Sequence, residues 1–253
     1  MNEEEKKDEE FELLHELAKD SHILTPVVLI GASALIPVPF LDDIAKAYLE
    51  KSLFAKLAER EGLELSKDEK QQLTQEPASG CWALGCLGSA VLYLPKKIFR
   101  KLFFFLEIKR AVDQATTALA EAFLFRLTVQ RELWKPGGEP QDAECVRRAI
   151  KGACRSQGVK PLETAIRHGF EGAKGTFGEF AAKFAKKTGS DEADMARAVE
   201  SLEREEEEEL AGITKRLSVS LEEISGSYLE TFVANYQSQL AQERAKPVDG
   251  GSG

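Results

Sequence analysis

The amino-acid sequence predicts an all-α protein, a multi-helix bundle with two buried or re-entrant hydrophobic segments and a long C-terminal amphipathic helix. Three observations carry this expectation. Apolar residues recur at intervals of three and four along most of the chain, and no segment shows the period-two alternation of a half-buried strand. Two stretches, 21–41 and 77–95, contain no formally charged side chain. Proline and glycine gather at 37–41, 77–80 and 135–140, where helices are expected to end. With 253 residues and 43% hydrophobic side chains the chain can bury a core, so it is not a wholly disordered protein. A mean hydropathy of −0.29 excludes a polytopic membrane protein.

Residues 1–20 read as an acidic tail passing into a short helix, with Phe11, Leu13, Leu14, Leu17 and Ala18 at helical spacing. This start lacks the apolar and basic regions of a secretory signal. Residues 21–135 read as a hydrophobic helical domain. Its first uncharged stretch spans 21 residues, but Pro26, Pro37 and Pro39 argue for a broken element rather than a straight span. Asp42 is expected to cap the next helix, with Ile44, Tyr48, Leu53 or Phe54, and Leu57 on its apolar side and Gly62 as its stop. Ser66, followed by Asp68 and Glu69, opens another short helix. In the second uncharged stretch Cys81, Gly85 and Ser89 recur every four residues, a small face on which helices can approach closely.

A basic and aromatic segment follows, KKIFRKLFFFLEIKR, placing Lys96, Lys97, Arg100, Lys101, Lys109 and Arg110 around Phe99, Phe103, Phe104 and Phe105. From Ile98 a long helix is expected, whose apolar side runs through Leu102, Phe105, Val112, Leu119, Ala122 and Phe123 as far as Leu133, before Lys135-Pro136-Gly137-Gly138 breaks it. Residues 136–248 read as a helical C-terminal region, basic and then acidic. Val146, Ile150 and Cys154 form one face, Leu162, Ile166 and Phe170 the next. Gly169, Gly172, Gly175 and Gly178 lie three apart, which requires either another backbone packed on that strip or a loop. Phe177, Phe180 and Phe184 resume helical spacing. From Leu210 through Ile213, Leu217, Leu221, Ile224, Tyr228, Phe232 and Tyr236 to Leu240, one apolar stripe predicts a continuous helix able to meet a helical partner or a second copy of the chain. Residues 249–253 read as a flexible tail.

The net charge of −9 conceals a pattern. Residues 1–22 carry −6, 23–95 carry −3, 96–135 carry +5, 136–187 carry +4 and 188–253 carry −9. A basic middle between acidic ends implies an anionic partner for the middle, or acidic ends that fold back over it.

No catalytic constellation emerges, so no enzyme activity is expected. His15-Glu16 lacks the second histidine of a zinc protease, because Lys19 stands in its place. Gly80 and Gly85 have the spacing of a phosphate loop, but Cys86-Leu87 replaces the lysine and hydroxyl residue. Asp42-Asp43 suits helix capping better than a metal, and the glycine row has no preceding strand for a dinucleotide. The four cysteines match neither a zinc pattern nor a disulfide framework and are expected to be reduced; Cys81 and Cys86 lie where acylation would be feasible. No metal or cofactor is expected.

The stretch GASALIPVPFLDDIAKAYLEKSLFAKLAEREGLELSKDE, residues 31–69, joins a small-residue apolar run, an Ile-Pro-x-Pro turn, acids and a long helix ending in glycine. In this it resembles the EcsC-like family of bacterial proteins. The resemblance implies a helical, membrane-associated protein without assigned catalytic residues. Two acids after the turn and the cysteine-bearing second apolar segment depart from that pattern.

The expected function is therefore binding of anionic membrane lipids through Lys96, Lys97, Arg100, Lys101, Phe103 and Phe104, at the cytoplasmic face of a membrane or in the cytoplasm. On a helix 96, 100, 103 and 107 share one side, and 97, 101, 104 and 108 the next. The alternative is a soluble helical scaffold or a carrier of a hydrophobic ligand acting through protein contacts. Nucleic acid is not expected as a partner, since acidic flanks would repel phosphate and no recognition module is present.

Overall fold

A computed structural model describes residues 3–36, 41–74, 96–157, 159–187, 192–205 and 207–246, with the side chains of 3–8, 96–107, 140, 141, 157, 174, 185–187 and 192 outside the description. Among the described residues there are eleven helices and no strand. They are α1 (Glu3–Lys19), α2 (Ser21–Ser33), α3 (Leu41–Arg60), α4 (Lys67–Thr74), α5 (Lys96–Gln130) and α6 (Pro140–Gln157). After these come α7 (Lys160–Gly169), α8 (Lys174–Lys187), α9 (Glu192–Glu205), α10 (Glu207–Leu221) and α11 (Gly226–Ala245).

Helix α2 comes from the first uncharged stretch, and the core forms around it. The Asp20 carboxylate caps it by accepting the His22 backbone N–H at 3.0 Å. Ten of its 13 residues are buried, packed against α3, α5 and α10. Pro26 lies inside the helix and removes one backbone donor only a turn from its start. At Gly31 an added Cβ would lie 2.9 Å from the Ala111 carbonyl oxygen and 3.0 Å from Ala115 Cβ, so α2 and α5 cross where both carry small residues. From Ala111 to Leu127 helix α5 is buried, with Ala118, Leu119, Ala122, Phe123 and Phe125 in the core, apart from exposed Asp113 and half-buried Gln114, Thr117 and Arg126. Phe54 of α3 meets Phe125 edge-on at 5.1 Å between ring centres.

Helix ends follow local chemistry. Ser66 and Glu69 form a capping box before α4: the Ser66 N–H donates to Glu69 Oε2 at 2.8 Å, and the Glu69 N–H to Ser66 Oγ at 3.2 Å. Helix α3 stops in a Schellman motif in which the Leu63 N–H donates to the Ala58 carbonyl and Gly62 takes φ +69°. Helix α5 ends the same way, with the Leu133 N–H donating to the Thr128 carbonyl, but there the left-handed residue is Glu132 at φ 51°.

Several expectations are corrected. Helix α3 begins at Leu41, so Asp42 stands inside its first turn rather than as its cap. Its buried face is Ala45, Leu49, Leu53, Phe54 and Leu57; Ile44 is 42% exposed, because the apolar stripe is set by the close α2–α3 contact one position further round. Helix α5 starts at Lys96 and ends at Gln130 rather than Leu133. The single helix expected over 210–240 is two helices, α10 and α11, separated by a turn over 222–225. Ser225 and Gly226 are poor helix residues, and Ile224 in the turn still points inward and is buried. The stripe itself faces protein: α10 packs on α7, α2 and α1, and α11 on α6 and α1. Of the break expected at 37–41 only Leu41 is described, and it begins α3; that at 77–80 lies outside the described residues; that at 135–140 falls in the link between α5 and α6, 131–139, with Pro140 already the first residue of α6.

The glycine row divides. Gly169 packs against the backbone of α10, its added Cβ falling 3.0 Å from Leu217 Cα. Gly172 takes φ +80° in the turn after α7, and Gly175 and Gly178 sit in α8 with nothing within 4 Å.

Candidate functional site: a cationic cleft beside a buried ion cluster

Lys96, Lys97, Arg100, Lys101, Phe103 and Phe104 lie in the first turns of α5, with their side chains outside the described residues. Cys81, Gly85 and Ser89 also lie outside the described residues. The described part of α5 brings together a different set of charges.

Glu121 sits in the apolar run ALAEAFLF on the buried face of α5. Arg147 of α6 donates from Nη1 to Glu121 Oε2 at 2.6 Å, and Lys151 Nζ, one turn later, lies 2.9 Å from Oε1. All three are buried. The Arg147 guanidinium also stands 5.5 Å from the centre of the Phe54 ring, and its Nε and Nη2 have no hydrogen-bond partner among the described residues. Glu50 of α3, buried as well, pairs with Lys46 at 3.5 Å. Burial opposes ionisation of Glu121, but Arg147 and Lys151 outweigh it and hold the carboxyl below its ordinary value. The Lys151 ammonium is likewise penalised by burial, and Glu121 overrides that, keeping it above its ordinary value. For Glu50 burial and then the neighbouring Glu121 charge dominate, so its carboxyl is pushed up despite Lys46, Lys151 and Arg147.

Beside this cluster a cleft of about 290 Å³ opens between α3, α5 and α6. Lys46, Arg110, Lys151 and Arg155 stand on its wall, with Asp113 as the only carboxylate there among the described residues. Gln114, Thr117 and Cys154 complete it. Arg110 is held by Asp42 at 2.8 Å and Asp43 at 3.6 Å, both through Nη2. Ser33 Oγ lies 3.4 Å from Gln114 Oε1 and turns that oxygen toward α2. Burial, reinforced by Glu121, pushes the Cys154 thiol far above its ordinary value, which makes it a poor nucleophile. Burial also raises the Asp113 carboxyl, with Lys109 opposing.

The acidic ends do fold back on the basic middle. Arg126 pairs with Glu16 and Glu61, each at 2.7 Å, and Arg131 with Glu9 at 3.1 Å and Glu10 at 3.0 Å. Arg148 reaches Glu243 of α11 at 3.4 Å. The aspartates on α3 and the N-terminal acids thus answer Arg110, Arg126 and Arg131.

Sequence reasoning missed the cluster and the cleft. The available signal was Glu121, a lone charge within an apolar helical run, whose burial demands a cation. Nothing local identified that cation as Arg147 and Lys151, 26 and 30 positions along the chain. Among the described residues no group of histidine, cysteine, aspartate and glutamate could hold a metal ion, and no helix is long and apolar enough to cross a membrane. No family model matches the chain, and neither does any curated protein or solved structure.

Proposed function

We propose that the protein is a membrane-associated helical protein that binds anionic lipid surfaces through the start of α5, without catalysis. One observation carries the reading: α5 is a single helix over 96–130, exposed at Lys109 and Arg110 and entering the core at Ala111. Its first 15 residues include Lys96, Lys97, Arg100, Lys101, Lys109 and Arg110, the last paired with Asp42 and Asp43. Each cation near an anionic surface contributes about 1 kcal/mol, enough together for reversible attachment, and Phe103 and Phe104 would enter the acyl boundary. Were 77–95 to span a membrane, the basic flank that follows would lie on its cytoplasmic face. The resemblance of residues 31–69 to EcsC-like proteins points the same way.

The test is flotation with phosphatidylserine-containing vesicles against phosphatidylcholine vesicles. Lys97→Glu with Lys101→Glu weakens binding to the anionic vesicles alone, and the difference shrinks with salt, since exposed charges are screened within about 8 Å at physiological ionic strength. Phe104→Ser weakens binding at every salt concentration. Binding indifferent to these changes would favour the second reading, a helical scaffold acting through protein contacts. The internal pairing of Arg126 and Arg131 with α1 acids supports that reading.

A further inference from the structure

We infer that the cleft between α3, α5 and α6 is a binding site for a phosphate monoester, either a lipid headgroup or a free small ester. Among the described residues its wall carries four cations and one carboxylate, and the carboxylates that hold three of those cations lie off the wall. Glu121 fixes Lys151 from within the core, Glu50 fixes Lys46 along α3, and Asp42 and Asp43 fix Arg110 from the start of α3. The cations are thus held in place before a ligand arrives, so less side-chain freedom is lost on binding. Lys151 is buried and still reaches the wall, which places one donor in a poorly solvated setting where an anion gains most.

Arg155, exposed in the last turn of α6, makes no ion pair among the described residues, and Arg110 uses only Nη2 for its aspartates. Both guanidinium groups keep N–H donors for an incoming oxyanion, in the fork geometry that suits phosphate. Arg155 is the wall cation without a carboxylate among the described residues, and a phosphate monoester, with roughly −1.5 to −2 charge at neutral pH and several acceptor oxygens, can engage it and the remaining Arg110 donors together. The volume, near the lower end for ligand sites, admits a phosphate with a few carbon atoms rather than a whole lipid. The residues described on the cleft wall do not include Lys96, Lys97, Arg100, Lys101, Phe103 or Phe104, and the inference does not rest on them.

Calorimetric titration with glycerol 3-phosphate, and with glycerol as the neutral control, tests it on the full chain. Arg155→Glu weakens binding of the phosphate by about tenfold or more, while Lys135→Glu, an equally exposed change outside the cleft, leaves it unaltered. Far-UV circular dichroism confirms that both variants fold, as exposed positions should. In parallel, flotation with phosphatidylcholine vesicles doped with phosphatidic acid identifies the source: loss in Arg155→Glu assigns a lipid headgroup, and unchanged flotation with lost calorimetric binding assigns a free ester. The Lys97→Glu, Lys101→Glu variant retains calorimetric binding, so failure of the surface reading is seen separately. If neither glycerol 3-phosphate nor the doped vesicles bind in a manner that depends on Arg155, or if Lys135→Glu causes the same loss, the inference is overturned.

Discussion

Glu121, Arg147 and Lys151 form the strongest polar commitment in the described core, and their energetics are asymmetric. Removing one partner leaves the others charged in a low-dielectric site, so Glu121→Gln destabilises the fold by about 3–5 kcal/mol in urea denaturation. Glu121→Leu combined with Arg147→Met costs less than the two single changes added together, since the stranded charge is partly removed. The pH dependence has a definite sign. Glu121 titrates below the ordinary value of 4.5 in the fold, so its contribution is present above that value and is lost as pH falls through the folded pKa. Glu50 titrates above 4.5 in the fold, so its ionisation erodes stability as pH rises through its folded pKa. Glu50→Gln therefore raises the melting temperature at neutral pH relative to its effect in acid, and a melting series across pH reads this directly.

At the scale of elements, two turns and one crossing invite measurement. Glu132 holds a left-handed conformation at the end of α5 that Gly62 holds at the end of α3. Glu132→Gly relieves that strain and stabilises by about 0.5–1 kcal/mol, less whatever its exposed pair with Lys135 contributes. In the glycine row, Gly169→Ala forces a methyl against the α10 backbone at Leu217 and destabilises by about 1–3 kcal/mol. Gly175→Ala, in open space on α8, instead stabilises by about 0.5–1 kcal/mol. Equal effects at Gly169 and Gly175 would show that the α7–α10 crossing is looser than these distances require.

For the whole molecule, the C-terminal helices are structural. Leu210, Ile213, Leu217 and Leu221 of α10 lie against α7, α2 and α1, and Phe232, Tyr236 and Leu240 of α11 lie against α6 and α1. The Tyr236 hydroxyl hydrogen-bonds Thr128 of α5, and Arg244 donates to the Leu133 carbonyl beyond the end of that helix. A chain ending at residue 206 thus loses one wall of the core around α2 and α5. It is expected to lose cooperative unfolding and to aggregate, as read by circular dichroism and size-exclusion chromatography. A soluble, cooperatively melting product would mean that α10 and α11 form a separable unit.

Periodicity and punctuation alone determined the helical class and most helix positions, because an amphipathic repeat and a Gly, Pro or Ser-x-x-Glu boundary act through neighbours a turn away. The α4 capping box, the Gly62 stop and the buried faces of α6 and α7 were legible for that reason. Charge counting posed two alternatives for the basic middle, and the tertiary fold realises the second at three of its cations, pairing Arg126 and Arg131 with acids of α1 and Arg148 with Glu243. The fold alone decided which face of α3 is buried, where the 210–240 stripe turns, and which glycine meets a backbone. It also made the cleft, since Lys46, Arg110 and Arg155 belong to three helices whose side chains meet only after α2 has drawn α3 and α5 together. Such sites depend on distances between residues remote in the chain, and spacing along a sequence carries no information about those.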